Sequence, residues 1–289
     1  MRALIDGDEI LYKIALSYQR KKYFVTKDGV KIFKVPNIEY GIECCLEDPS
    51  MDVDFELEVD PLEGFNDKIE FQISRILALT KSTDYLICVS GTNNFRYKLA
   101  TLLPYKGNRL TDNKPVHLEK LKSLFKEGFD HECSDTNEAD ELLVYNRKSK
   151  TKDIICSTDK DLKTVEGMNY NISKDKLRYI TAFDATYNFY FQLLIGDDTD
   201  NIPHPYFLGN AAASKILEEI TKDMSEVEIF NIVKRGYIRF LEATNKDGSY
   251  KTKWYSGQNV DDILEEVGNL LWMEHTPGGE SRWVLPTRR

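Results

Sequence analysis

Three short runs of the chain are apolar throughout: Ala3-Leu4-Ile5, Tyr85 to Val89 within "DYLICVS" (84–90), and Ile154 to Cys156 within "DIICS" (153–157). A strand with one face in water alternates polar and apolar residues, whereas a strand buried on both faces does not. Segments of helical spacing lie between these runs, which predicts a mostly parallel α/β sheet with helices on both faces. "MNYNIS" (168–173) reads as a further strand. Helices are expected over about 9–20, from an Asn66 cap to Thr80 with Ile69, Ile73, Ile76 and Leu77 on one side, and over 118–129. Another is expected from Asp135 or Thr136 to Asn146, where Asp135 and Glu138 have capping-box spacing. From about Asp184 the chain reads as helical, broken near "GSY" (248–250), with "SRWVLP" (281–286) packing back as an extended tail.

Two features interrupt this alternation. "YFVTKDGVKIFKV" (23–35) has the pattern of a hairpin around Asp28-Gly29. From Glu39 to Asp67 there are eleven acidic residues and no Lys or Arg, and "DVDFELEVD" (52–60) within it alternates as an exposed strand does. This segment is read as a solvated surface insertion. With 289 residues and 41% hydrophobic composition, a sizeable core is expected and global disorder is excluded. No apolar run approaches the roughly 18 residues of a membrane span, and Asp6, Asp8 and Glu9 break any signal-peptide-like run. Five cysteines without metal-like spacing read as free thiols, so a cytoplasmic location is expected. The net charge of −9 argues against nucleic-acid binding unless bound cations neutralise part of it.

In a parallel sheet, ligands bind beyond the carboxyl ends of the strands. Asp6 and Asp8 follow the first strand, and Asp159 and Asp161 in "CSTDKDLKTV" (156–165) follow the strand 153–157. Glu138, Asp140 and Glu141 open a helix in "NEADELL" (137–143), and Asp197, Asp198 and Asp200 lie in "IGDDTDNIP" (195–203). Any one of these alone reads more readily as a helix cap or an Asx turn. Together, in one cleft, they would raise each other's pKa unless cations were bound. No Cys or His accompanies them, so two Mg²⁺ or Mn²⁺ ions are expected, not zinc. Such a pair clamps a phosphodiester during in-line displacement. The complementary positive stretch is "NNFRYKLATLLPYKGNR" (93–109), with Arg96, Lys98, Lys106 and Arg109 to grip phosphate and Tyr105 to stack on an unpaired base; its other reading is a helix face of snorkelling basic side chains with Tyr105 in the core.

In that order, "IDGD", "NFRYKL…PYKGNR", "NEADE", "STDKDLKTV" and "GDDTDNIP…LG…AASKIL" resemble the 5′-nuclease superfamily of flap endonucleases and 5′–3′ exonucleases. The tail "GQNVDDILEEVGNLLWMEH…RWVLP" (257–286) is similar to replication exonucleases of short-tailed phages. The resemblance implies a nuclease core at 1–195, including the acidic insertion 39–67 and a helical basic arch at 93–130. It implies a helical region at 196–289 with a helix-hairpin-helix-like element at 200–220 that holds duplex backbone with K⁺. It implies a metal-dependent 5′–3′ exonuclease or flap endonuclease acting on double-stranded DNA with 5′ ends or flaps, and on RNA in RNA–DNA hybrids. A role in phage replication, recombination or host DNA breakdown would place it in the host cytoplasm.

Residue by residue, the resemblance implies metal sites at Asp6, Glu138, Asp140, Asp159, Asp161, Asp197 and Asp200. It places Arg96 and Lys106 on the scissile phosphate, Tyr105 and Arg109 at the base of a gateway for the 5′ strand, and Gly209 at the duplex backbone. Three positions depart from the family pattern. Gly91 stands where an aspartate is usual, with Asp8 as the candidate substitute. Glu141 replaces an aspartate. "PHPYFLGN" keeps only Gly209 of a glycine-rich hairpin. Two other readings exist: a haloacid-dehalogenase-type phosphatase with Asp6 as nucleophile and Asp8 as acid, and a non-catalytic relative that only binds branched DNA.

Overall fold

The computed structural model describes residues 1–109, 114–147, 152–205, 208–247, 258–273 and 282–288. The chain forms two compact units, one from Met1–Asp8, Arg75–Thr111 and Asp130–Arg289 and the other from Glu9–Ser74 and Asp112–Phe129.

The larger unit is built on a six-stranded sheet of order β6-β5-β1-β7-β8-β9. Its strands are β1 (Arg2–Asp6), β5 (Asp84–Ser90), β6 (Glu132–Ser134), β7 (Ile154–Cys156), β8 (Gly167–Asn171) and β9 (Lys176–Ile180). The apolar runs occupy the centre, with Leu4 beside Leu86 and Ile155, and Ile5 beside Ile87 and Cys156, all in parallel register. Helix α6 (Ala139–Asn146) packs on β1 and β5 and buries Leu142 and Leu143 against Leu4, Cys88 and Ile155. A second core joins α7 (Ala182–Ile195), α8 (Asn210–Leu217), α9 (Glu226–Asp247) and α10 (Val260–Leu271). The extended tail packs back as expected, burying Trp283 and Leu285 in that core.

Three expectations here shift. Helix α6 starts at Ala139, not at Asp135 or Thr136, because Glu138 is its N-cap and Glu141 Oε2 accepts from the Glu138 N–H (3.1 Å). Strand β9 was not expected; it pairs antiparallel with β8 and ends where Thr181 caps α7, its Oγ1 accepting from the Asp184 N–H (3.1 Å). The stretch after α7 is not helical throughout, since Asp197 and Ile202 form an antiparallel bridge. The break at 248–250 lies outside the described residues.

In the smaller unit, β2 (Gln19–Lys27), β3 (Val30–Val35) and β4 (Met51–Val59) form an antiparallel sheet of order β3-β2-β4. The Asp28-Gly29 turn has positive φ at both residues (52° and 77°), as a two-residue hairpin of this hand requires. Strand β4 is exposed along most of its length and lies at a sheet edge, in keeping with the alternation at 52–60. Helix α1 (Gly7–Leu16) stops short of residue 20 because Gln19 already pairs with Val59, a long-range contact with no local signature. Helix α2 (Ile38–Cys45) is an addition inside the acidic segment, with Asn37 Oδ1 accepting from the Tyr40 N–H (2.8 Å). Helix α3 (Phe65–Thr80) begins just before Asn66, after Gly64 at φ +64°, and α5 (Leu118–Gly128) buries Leu118, Leu121 and Phe125.

Candidate active site

The strand order places a topological switch at β1: the chain runs outward through β5 and β6, then returns to the other side of β1 at β7. The crevice beyond the ends of β1 and β7 is the expected ligand site of such a sheet. Asp6 ends β1 and is 8% exposed. Ser157, just past β7, donates its hydroxyl to Asp6 Oδ2 (2.8 Å), and its Oγ accepts from the Asp159 N–H (3.0 Å). One serine therefore ties the first acidic set to the second. Sequence reasoning missed Ser157, although its place directly after an apolar strand was a usable signal.

Asp159 Oδ1 accepts from the Asp161 N–H (2.8 Å), which starts a 3-10 turn at Asp161–Thr164. The buried Gln192 of α7, also missed, donates to Asp161 Oδ1. Asp197 is 5% exposed and accepts from the Thr199 N–H (2.8 Å), with Lys160 Nζ 2.9 Å from its other oxygen. Gly196 precedes it at φ +59°, and a Cβ there would lie 2.3 Å from Ile202 O, so only glycine closes this loop. The Asp198 side chain is fully in solvent and stands apart from the set.

Helix α6 brings Glu138 and Asp140, and the segment after α4 (Arg96–Leu99) brings Tyr105, Lys106 and Arg109. Lys106 Nζ pairs with Glu138 Oε1 and lies 3.8 Å from Asp200 Oδ2. Its N–H donates to Asp200 O (2.8 Å), and its φ is 56°, a conformation uncommon for a side-chain-bearing residue and frequent at functional sites. Arg109 pairs with Asp200 Oδ1 and donates Nε–H to Thr199 O (3.2 Å). The loop 197–202, the first turn of α6 and the basic stretch thus meet at Glu138 and Asp200.

The carboxylates act on one another. Burial first, and then Glu138 and Asp159, push Asp140 well above the ordinary range. Asp161 is pushed up to about 7 by burial, then by Asp159 and Asp197. Asp159 faces water at its surface, yet the protein mass around it raises its pKa first, with Asp200, Asp197 and Glu138 adding to the rise. Glu138 is held low, because Lys106 and Arg96 together outweigh its burial. Asp6 joins the set through Ser157. An all-carboxylate donor set of this kind suits a hard divalent cation. As the side chains stand, no three of them among the described residues converge closely enough to hold one; lysines, arginines and hydrogen bonds occupy the inner oxygens instead. An open groove of about 520 Å³ in the smaller unit, bordered by Lys13, Lys68 and Phe71, contains none of these carboxylates.

Two expectations do not match the geometry. Tyr105 is 4% exposed and donates its hydroxyl toward Glu138 Oε2 (3.0 Å) and Asp200 Oδ2 (2.8 Å), so its ring is no platform for a base. Arg96 is 1% exposed and faces protein on every side, so it does not present itself to a phosphate. Lys98 is exposed on α4, and Gly209 is the exposed N-cap of α8 with open space around it. Asp8 Oδ2 accepts from the Ser90 N–H (3.0 Å) and so secures the end of β5. At Gly91 a Cβ would lie 2.0 Å from Ser134 O and 2.5 Å from Asp135 Cα, so this backbone has no room for an aspartate. Glu141 is fully buried behind the site.

The chain is a mixed α/β fold with a mostly parallel six-stranded sheet flanked by helices, and this fold matches that of solved phage nucleases. It is similar to bacteriophage T5 5′-exonuclease with bound divalent zinc, with a TM-score of 0.51, 14% identity, and 94% of this chain and 98% of that one covered. It is similar also to bacteriophage T5 flap endonuclease in a pseudo-enzyme–product complex with DNA and metal ions, with a TM-score of 0.50, 13% identity, and 93% and 98% covered. No protein-family model and no curated protein matches the chain. No helix among the described residues is long and apolar enough to cross a membrane.

Proposed function

We propose that the chain is a divalent-metal-dependent nuclease that hydrolyses duplex DNA from the 5′ end, as a 5′–3′ exonuclease or flap endonuclease. The observation that carries this reading is the meeting of Glu138, Asp140, Asp159, Asp161, Asp197 and Asp200 with Lys106 and Arg109 beyond the switch point of a 5′-nuclease fold. Asp6, Glu138, Asp140, Asp159, Asp161, Asp197 and Asp200 would hold two Mg²⁺ or Mn²⁺ ions, with Asp8 adjoining them. When bound, such ions lower the pKa of water and take up charge on the phosphate oxygens. Lys106 and Arg109, which pair with Glu138 and Asp200, would supply positive charge for the phosphate. Ser157 and Tyr105 fix the carboxylates by hydrogen bonds. Lys98 is free to meet the DNA backbone, and the open N-terminus of α8 at Gly209 is the candidate contact to the duplex. A phosphatase using Asp6 and Asp8 would leave Glu138, Asp140 and Asp161 without roles.

Digestion of blunt, nicked and flapped duplexes labelled at either end tests the proposal. The 5′ label should be released only when Mg²⁺ or Mn²⁺ is present. Release from the 3′ end, or release in chelator, refutes it, and tight metal-free binding without any cutting would identify a binding-only relative. Lys106→Ala should lower cleavage by about 10²-fold and reduce the salt slope of DNA binding by about one.

A further inference from the structure

We propose that Arg96 is a positioning residue that ties the C-terminal end of α10 to the carboxylate helix α6, so that the end of α10 sets how tightly the acidic set takes divalent cations. The inference rests on the nuclease reading above. A guanidinium taken wholly out of water is costly unless carbonyls and carboxylates surround it, so its partners indicate its role. Arg96 Nε donates to Leu270 O (2.9 Å) and Nη2 to Trp272 O (3.3 Å). These carbonyls belong to the last turn and C-cap of α10, which lack partners within the helix and carry the negative end of its dipole. On its other side, Nη1 lies 3.0 Å from Glu141 Oε2 and 3.8 Å from Glu138 Oε2.

Glu141 passes this constraint on. The oxygen facing Arg96 also accepts from the Glu138 N–H (3.1 Å) and from Asn137 Nδ2 (3.4 Å), which fixes the first turn of α6. Glu138 and Asp140 project from that turn. The other end of the chain of contacts is equally fixed. Asn269 Nδ2 donates to Trp283 O (2.9 Å), and Asn269 Oδ1 accepts from the Trp283 N–H (3.0 Å). The indole of Trp283 rests so close to Gly268 that a Cβ there would be 2.3 Å away. Arg96 therefore stands behind two acidic ligand candidates, and the helix holding it is locked by the tail.

Arg96→Lys keeps the charge but cannot bridge two carbonyls and two glutamates at once. The metal concentration that gives half of the Mn²⁺-induced rise in melting temperature, measured on the whole chain without DNA, should increase about tenfold, as for other residues that orient metal ligands. At low Mn²⁺, kcat should fall with KM for DNA nearly unchanged, and excess Mn²⁺ should restore it. Asn269→Ala, which loosens α10 without touching the acidic set, should move the metal midpoint the same way by a smaller factor, and it decides the matter if Arg96→Lys fails to fold. Midpoints equal to wild type in the folded variants overturn the inference, as does a raised KM with a shallower salt slope, the mark of a direct phosphate contact. A wild-type chain whose melting temperature ignores Mn²⁺ and which cuts nothing overturns the nuclease reading itself.

Discussion

Two regions of this molecule are rich in acid and treat it in opposite ways. Along β4, Asp52, Asp54, Glu56 and Glu58 alternate with apolar residues. Cations from β2 and β3 meet the glutamates: Arg20 and Lys22 pair with Glu58, and Lys31 with Glu56. The Arg20 hydrogen bond, with Lys22 adding to it, lowers Glu58 to about 2. At the ends of β1 and β7 the carboxylates come from separate stretches of sequence and crowd one another, and Asp140, Asp159 and Asp161 titrate upward. The number of acids therefore says little about function; what distinguishes the site is that its acids face acids.

The largest break between the regions is expected in catalysis. Asp159→Ala should lower kcat by about 10³-fold with little change in DNA affinity, because on the proposed reading this carboxylate would hold a cation that takes up charge developing in the transition state; steady-state kinetics beside equilibrium binding measures the split. Next comes space. Gly91→Ala places a Cβ against the carbonyl of Ser134, a backbone atom that cannot swing aside, and should cost about 3 kcal/mol in urea unfolding.

The smallest effects sharpen the contrast through pH. Asp161 has its folded pKa raised from 3.8 to about 7, so between those values the folded chain keeps a proton that the unfolded chain releases. Metal-free stability therefore falls as pH rises through this window, and Asp161→Asn should raise the melting temperature in chelator by about 2 °C at pH 8 and by much less at pH 4. Glu58 runs the other way. Its pKa is depressed, so its contribution is present above about 4.5 and is lost as pH falls toward 2. Because the pair is exposed, Glu58→Gln should leave the melting temperature at pH 8 almost unchanged.

The central strands were legible because burial on both faces leaves an unbroken apolar run, and the Asp28-Gly29 hairpin because a tight turn needs special residues. Strand β9 and the early stop of α1 were not, since pairing with distant strands decides both. In the site, the acidic sets could be read from their places at element ends. The burial of Arg96 could not, and a buried or an exposed Tyr105 could not be told apart: a basic, aromatic stretch looks alike whether it faces DNA or lies behind the carboxylates. Ser157 and Gln192 carry no charge and become visible only when their partners are known.

The phenol of Tyr105 points at two carboxylates, yet it owns a single hydrogen. Burial keeps that hydrogen in place by holding the ring far from ionisation. At any instant one of Glu138 and Asp200 receives it and the other relies on Lys106 or Arg109. The two halves of the acidic set are thereby made to take turns, and a change at one is felt at the other through one shared proton.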